Sequence, residues 1–109
     1  MKINPITGKL PKVMSTWDYQ ELAQALAAVG SPERLRIVGL LLREPKVGCG
    51  RIADYLELSR PAVSYHLRVL ETSGLIEKQR EGRRRCIVLT SKLERILGEE
   101  IIAWLKGGA

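Results

Sequence analysis

Residues 58 to 74, Leu58-Ser59-Arg60-Pro61-Ala62-Val63-Ser64-Tyr65-His66-Leu67-Arg68-Val69-Leu70-Glu71-Thr72-Ser73-Gly74, constrain the chain more than any other stretch. Ser59 can cap the free N–H groups of a starting helix, Pro61 tolerates the first turn, and Gly74 supplies a left-handed residue to end it. Val63, Leu67 and Leu70 recur at steps of four and three, so one face of that helix is apolar and seeks a core. The other face carries Arg60, Ser64 and Arg68, flanked by Tyr65 and His66, with Glu71 only at the far end. Cations and hydrogen-bond donors of this kind suit phosphates and base edges in a DNA major groove, where Arg can read guanine. A solvated face would more often mix Glu with Lys. By itself the helix tips the balance only modestly towards DNA.

The position of the charge says more than its sum. The 109 residues carry a formal net charge of +6, which favours an anionic partner without naming it. Residues 1 to 15 hold Lys2, Lys9 and Lys12 and no acid. Residues 59 to 90 hold Arg60, Arg68, Lys78, Arg80, Arg83, Arg84 and Arg85 against Glu71, Glu77 and Glu81. The basic character therefore sits in an N-terminal arm and one unit of the C-terminal half. The chain has neither an apolar run of membrane-spanning length nor the apolar core of a signal peptide, so a soluble cytoplasmic protein is expected, with no membrane partner. Two cysteines are too few for a disulfide scaffold.

In chain order, residues 1 to 15, with Pro5, Gly8 and Pro11, show no sustained period and read as a flexible basic arm, either a solvated tail or a DNA contact. Residues 16 to 106 then read as one domain. A first helix is expected from about Asp18 to Val29, stopped by Gly30. A second opens at Ser31 as cap, with Pro32 and Glu33 in its first turn and Leu35, Val38, Leu41 and Leu42 as its stripe. Pro45, Gly48 and Gly50 mark a connector with room for a short extended piece. A short third helix near Arg51 to Leu56 buries Ile52, Ala53 and Leu56, and Glu57-Leu58 turns the chain into the segment described first. Two helices joined by so short a turn, the second with a cationic face, describe a helix-turn-helix.

Beyond Gly74, Leu75 to Arg80 and Arg84 to Leu89 have strand character around a tip at Glu81-Gly82-Arg83. A basic hairpin in this place is a wing whose arginines can hold a DNA backbone, although Arg83-Arg84-Arg85 also suit a solvated loop tip. A last helix is expected to open with a capping box, Ser91 as cap and Glu94 three residues on. Leu93, Ile96, Leu97, Ile101, Ile102, Trp104 and Leu105 follow it. So many large apolar groups on a terminal helix ask for a partner surface. With helix one they suggest a two-fold homodimer through Trp17, Leu22, Leu26, Leu93, Leu97, Ile101 and Trp104; the alternative is that both helices wrap one monomer core. The fold class expected is mainly α, a winged helix-turn-helix of about five helices with a two-stranded β-hairpin.

The segments Ala28 to Val38, Ile52 to Leu70, Gly74-Leu75-Ile76 and Arg80-Glu81-Gly82-Arg83 closely resemble the ArsR/SmtB family of prokaryotic winged-helix repressors, in consecutive order over roughly residues 20 to 90. The resemblance implies a homodimer held by its first and last helices, binding a partly palindromic double-stranded DNA operator and released by an inducer, often a metal ion. Here the inducer is unknown. Many metal-sensing relatives carry a Cys-x-Cys pair at the start of helix three, and placing Ile52-Ala53 in register puts Gly48 and Gly50 at those positions, with Cys49 between them. Relatives that sense zinc through the last helix use Asp and His there, whereas this chain offers Glu94, Glu99 and Glu100 and no His after His66. No metal and no cofactor is therefore expected.

Arg60, Ser64, Tyr65 and Arg68 are the base-groove candidates. Ser59 and His66 are assigned to phosphates, and Arg80, Arg83, Arg84 and Arg85 to the backbone from the wing. His66 could instead be a polar helix residue with no titrating role. Cys49 and Cys86 are either ordinary small half-buried residues or a redox pair, if the wing's second strand passes the start of helix three. An enzyme is not expected: the single His leaves little acid-base capacity, and no nucleophile or phosphate-loop motif is present. The other class left open is a winged-helix module for protein interaction.

Overall fold

The computed structural model describes residues 17–107. Among them are α1 (Tyr19–Val29), α2 (Pro32–Arg43), α3 (Cys49–Leu56), α4 (Arg60–Thr72), β1 (Ile76–Glu81), β2 (Arg84–Leu89), α5 (Lys92–Ile96) and α6 (Glu99–Lys106). The basic arm expected at residues 1 to 15 lies outside the described residues. No described helix is long and apolar enough to cross a membrane.

Short polar side chains set the helix starts. The Asp18 carboxylate accepts from Glu21 N at 2.7 Å, the Ser31 hydroxyl from Arg34 N at 3.3 Å, and the Ser59 hydroxyl from Ala62 N at 3.3 Å. Each satisfies a donor that the helix itself leaves unpaired. Gly74, at φ +80°, releases the chain from α4 into the hairpin in a conformation that L side chains rarely adopt.

The core gathers around α2, where Ile37, Val38, Leu40 and Leu41 are buried against Ile52 of α3, the Val63, Leu67 and Leu70 stripe of α4, and Leu75, Ile76 and Ile87 at the hairpin base. From the C-terminal helices come Leu93, Leu97 and Leu105. α3 and α4 are joined by three residues. Glu57 takes the left-handed conformation at φ 56°, Leu58 N donates to Ala53 O at 3.1 Å, and Ser59 starts α4. With the antiparallel hairpin, paired from Ile76 with Leu89 to Glu81 with Arg84, this is a winged helix-turn-helix. The connector contributes its short extended piece as Val47, which pairs with Ile87 and accepts from Ile87 N at 2.7 Å.

The last helix differs from expectation. It is two helices, so the described residues hold six rather than about five. Leu97 is extended at φ −106°, ψ 126° and Gly98 at φ −68°, ψ 170°, and the break turns Leu97 into the core. The capping box does not form. Ser91 has helical dihedrals of φ −67°, ψ −10° and its hydroxyl makes no cap bond. Thr90 acts instead: Oγ1 accepts from Lys92 N at 3.3 Å and donates to Gly74 O at 2.6 Å. The backbone decides this, because Thr90 N donates to Leu75 O at 3.0 Å and thereby fixes the residue where the hairpin closes.

Thr90→Ala should therefore lower stability by about 0.5–2 kcal/mol in urea unfolding, whereas Ser91→Ala should stay within about 0.5 kcal/mol of the parent protein. The reverse order would restore the capping box.

Candidate nucleic-acid interface

Because Val63, Leu67 and Leu70 are almost fully buried, the rotation of α4 is set and its polar side turns outward. Arg60, Pro61, Ser64, Tyr65, Arg68, Glu71 and Thr72 are all exposed. Tyr65 is exposed by 57%, unusual for an aromatic side chain in a helix that packs so closely. Arg68 and Tyr65 stand with Arg34, Gln24 and Thr72 around a shallow groove between α4 and the α1–α2 corner. Arg60 leans the other way, its guanidinium beside the start of α3, where a Cβ on Gly50 would lie 3.0 Å from Arg60 Nη2.

His66 is placed differently from the other α4 candidates. It is half-buried, with Nδ1 at 3.1 Å from Arg34 Nη1 and its ring edge-on to Tyr65 at 5.4 Å. A guanidinium can only donate, so Nδ1 accepts, which requires a neutral ring protonated at Nε2. Arg34 in turn donates from Nε to Ala28 O at 2.5 Å. The contact ties α4 to the α1–α2 corner. Arg34 was missed in the sequence because its partner is 32 residues away.

On the wing, Arg80, Arg83, Arg84 and Arg85 are all exposed. Gly82, at φ +61°, makes the two-residue tip with Arg83, as a hairpin turn of this length needs. The register sets Arg80 directly opposite Arg85. Like charges facing each other across strands are unfavourable in a free hairpin, and a polyanion would remove the penalty. Among the described residues two ion pairs link the wing to the rest: Lys46 with Glu81, and Lys78 with Glu71 at 3.7 Å. The hydrogen bond from Lys46 holds the Glu81 carboxyl below the usual carboxylate range, and the same bond raises Lys46.

The residues expected at a dimer interface divide. Leu93 and Leu97 fill the core of their own chain. Leu26, Ile101 and Trp104 are exposed by 46%, 47% and 61%, Leu22 is half-buried, and half-buried Trp17 carries Lys92 Nζ 4.9 Å from its ring centroid. Tyr19, exposed by 96% at the start of α1, was not singled out in the sequence because it falls outside the Ala- and Leu-rich run.

Cys49 opens α3 and Cys86 is buried on β2, both as free thiols. The Val47–Ile87 pair makes their segments neighbours. The residues around Cys49 do not fit the metal site of the resemblance. Gly48 and Gly50 offer no thiolate, and the space beside Gly50 holds the Arg60 guanidinium, which would repel a cation. Among the described residues, no group of three or more His, Cys, Asp or Glu side chains is arranged to hold a metal ion.

A family model described as "Bacterial regulatory protein, arsR family" matches residues 31–78, from the cap of α2 into β1. The HTH-type transcriptional regulator YgaV of Escherichia coli is 34% identical over 87 residues, covering 80% of this chain and 84% of YgaV. The chain belongs to the arsR family. A transcriptional repressor SmtB homologue of Synechocystis is 36% identical over 73 residues, 67% of this chain, which spans only 54% of that relative's length. Among solved structures, a homodimeric winged helix-turn-helix DNA-binding domain from Mycobacterium bovis superposes with a TM-score of 0.61 at 22% identity, covering 91% of this chain and 82% of its own; at that identity the likeness concerns the fold. As an arsR-family protein the chain is a transcriptional regulator with a DNA-binding winged helix-turn-helix, and its relatives are regulators rather than enzymes.

The Lys46–Glu81 pair links the connector before α3 to the wing above the ordinary carboxylate pKa. Its contribution is lost as pH falls through the depressed pKa of Glu81. In an NMR pH titration Glu81 should titrate below the usual carboxylate range, and Lys46→Ala should move it back up towards that range. A Glu81 titration that Lys46→Ala leaves unchanged would mean that the pair does not form in solution.

Proposed function

We propose that this arsR-family regulator is a homodimeric repressor that reads a partly palindromic operator with α4 and grips the flanking backbone with its wing. The observation that carries the reading is the outward polar face of α4, fixed by its buried stripe and standing beside four exposed wing arginines. Arg60, Ser64, Tyr65 and Arg68 meet base edges, and Ser59 at the helix start meets a phosphate. His66 acts from its contact with Arg34, orienting the helix on the backbone. Arg80, Arg83, Arg84 and Arg85 neutralise phosphates.

Dimerisation is supported by the exposed Leu26, Ile101 and Trp104 on α1 and α6, since large apolar groups on two helices favour a covered surface, and by the homodimeric state of the Mycobacterium bovis domain. Repression is supported by the name of the Synechocystis relative. Two copies related by a two-fold axis would present two recognition helices to successive turns of one duplex face.

The test is selection of bound sites from a random duplex library, followed by two variants on the selected operator. Arg68→Ala should cost about 1–3 kcal/mol and relax base preference at one position of each half-site. Arg83→Ala should weaken all sequences alike and reduce the salt slope by roughly one. A protein that is monomeric by light scattering and indifferent to duplex DNA would contradict the proposal and favour a protein-docking module.

A further inference from the structure

Between α2 and α6 lies a cavity of about 390 Å³, lined by Gly39 at its floor. A Cβ there would lie 3.6 Å from Leu105 O and 3.3 Å from Arg43 Nη1. Leu35 and Pro32 form one apolar wall and Trp104 the other.

The polar end is cationic. Arg43 donates from Nη1 to Leu105 O at 2.8 Å and from Nη2 to the Tyr55 hydroxyl at 2.7 Å, so its guanidinium is held in place with further N–H groups to spare. Arg36, two helical turns earlier on α2, lies 5.8 Å from the centroid of the same Tyr55 ring. Neither arginine has a carboxylate within ion-pair distance among the described residues. The nearby Glu44 is taken by Arg51, with bonds of 3.1 and 2.7 Å. Tyr55, whose oxygen accepts from Arg43, keeps its own proton to donate.

We propose that this cavity binds a small organic carboxylate with an aromatic or branched apolar body, its charge between Arg36, Arg43 and the Tyr55 hydroxyl and its body against Leu35 and Trp104. The volume falls within the range of roughly 300–1,000 Å³ usual for small-molecule sites, and apolar walls with a few convergent polar groups are their usual lining. A metal cation is excluded by the positive charge. A multiply charged phosphate is disfavoured because the walls are mostly apolar. The walls belong to the α1–α2 corner and to α6, so an occupant would be felt at the proposed dimer surface; that consequence rests on the repressor reading, whereas binding itself does not.

The test uses the full chain without DNA, with 1-naphthoate and its neutral counterpart 1-naphthamide as probes, read by NMR at the Trp104 indole N–H, which Trp104→Phe identifies. Naphthoate should give a saturable shift at Trp104 and not at Trp17. The amide should bind at least tenfold more weakly, and Arg36→Glu should weaken naphthoate tenfold or more while leaving the spectrum dispersed. Arg36→Gln gives the same reading if the charge reversal disturbs folding. Equal affinity for acid and amide, an unchanged affinity in the Arg36 variants, or no saturable shift at Trp104 because a second copy's side chains fill the cavity, would each overturn the proposal.

Discussion

Burial of Val63, Leu67 and Leu70 is the contact on which the rest of the molecule's behaviour turns. Three large side chains on one stripe leave α4 only one rotation that removes them from water, and full burial of each favours that rotation by about 1.5–3 kcal/mol. Arg60, Ser64, Tyr65 and Arg68 are left exposed on the remainder of the same helix, so the force that makes the core also aims the polar side chains outward. No separate interaction is needed to present it.

Around this helix the structure adds ties that place the wing. Thr90 bridges Gly74 and the start of α5, Val47 pairs with Ile87, and Lys78 reaches from the wing to Glu71 on α4. The Thr90–Gly74 and Val47–Ile87 ties join segments distant in sequence, Lys78–Glu71 spans the turn at Gly74, and together they set where the exposed arginines stand relative to α4. The Arg34–His66 contact does the same on the opposite flank. α4 and the wing are therefore held as one surface, as the proposed joint reading of bases and gripping of backbone requires.

What could be read in the sequence follows the range of the interactions. Caps at Ser31 and Ser59, the stripe of α4, the Gly82 tip and the strand pair depend on neighbours within a few residues, and all are found as expected. The split between α5 and α6 had a local signal too: Gly98 followed by Glu99 and Glu100 is a helix start, masked by the apolar residues on either side. Thr90 displaced Ser91 because of a backbone bond to Leu75, fifteen residues earlier, which no local pattern shows. The left-handed Glu57 was equally hidden, since a side chain there costs about 1–2 kcal/mol and glycine is the residue a sequence reader looks for. Of the site, the exposed face was legible from periodicity. The turn of His66 towards Arg34 and the burial of Leu93 and Leu97 were not, because the first depends on how α2 packs against α4 and the second on tertiary packing that includes α5 against α1.

Guanine N7 methylation interference on a selected operator tests the central claim most directly, because it reports where major-groove edges are covered. Two clusters of interfering guanines on one face of the duplex, centred about ten base pairs apart, are predicted for paired copies of α4. A single cluster, or binding indifferent to N7 methylation everywhere, would show that the outward face of α4 does not enter the groove.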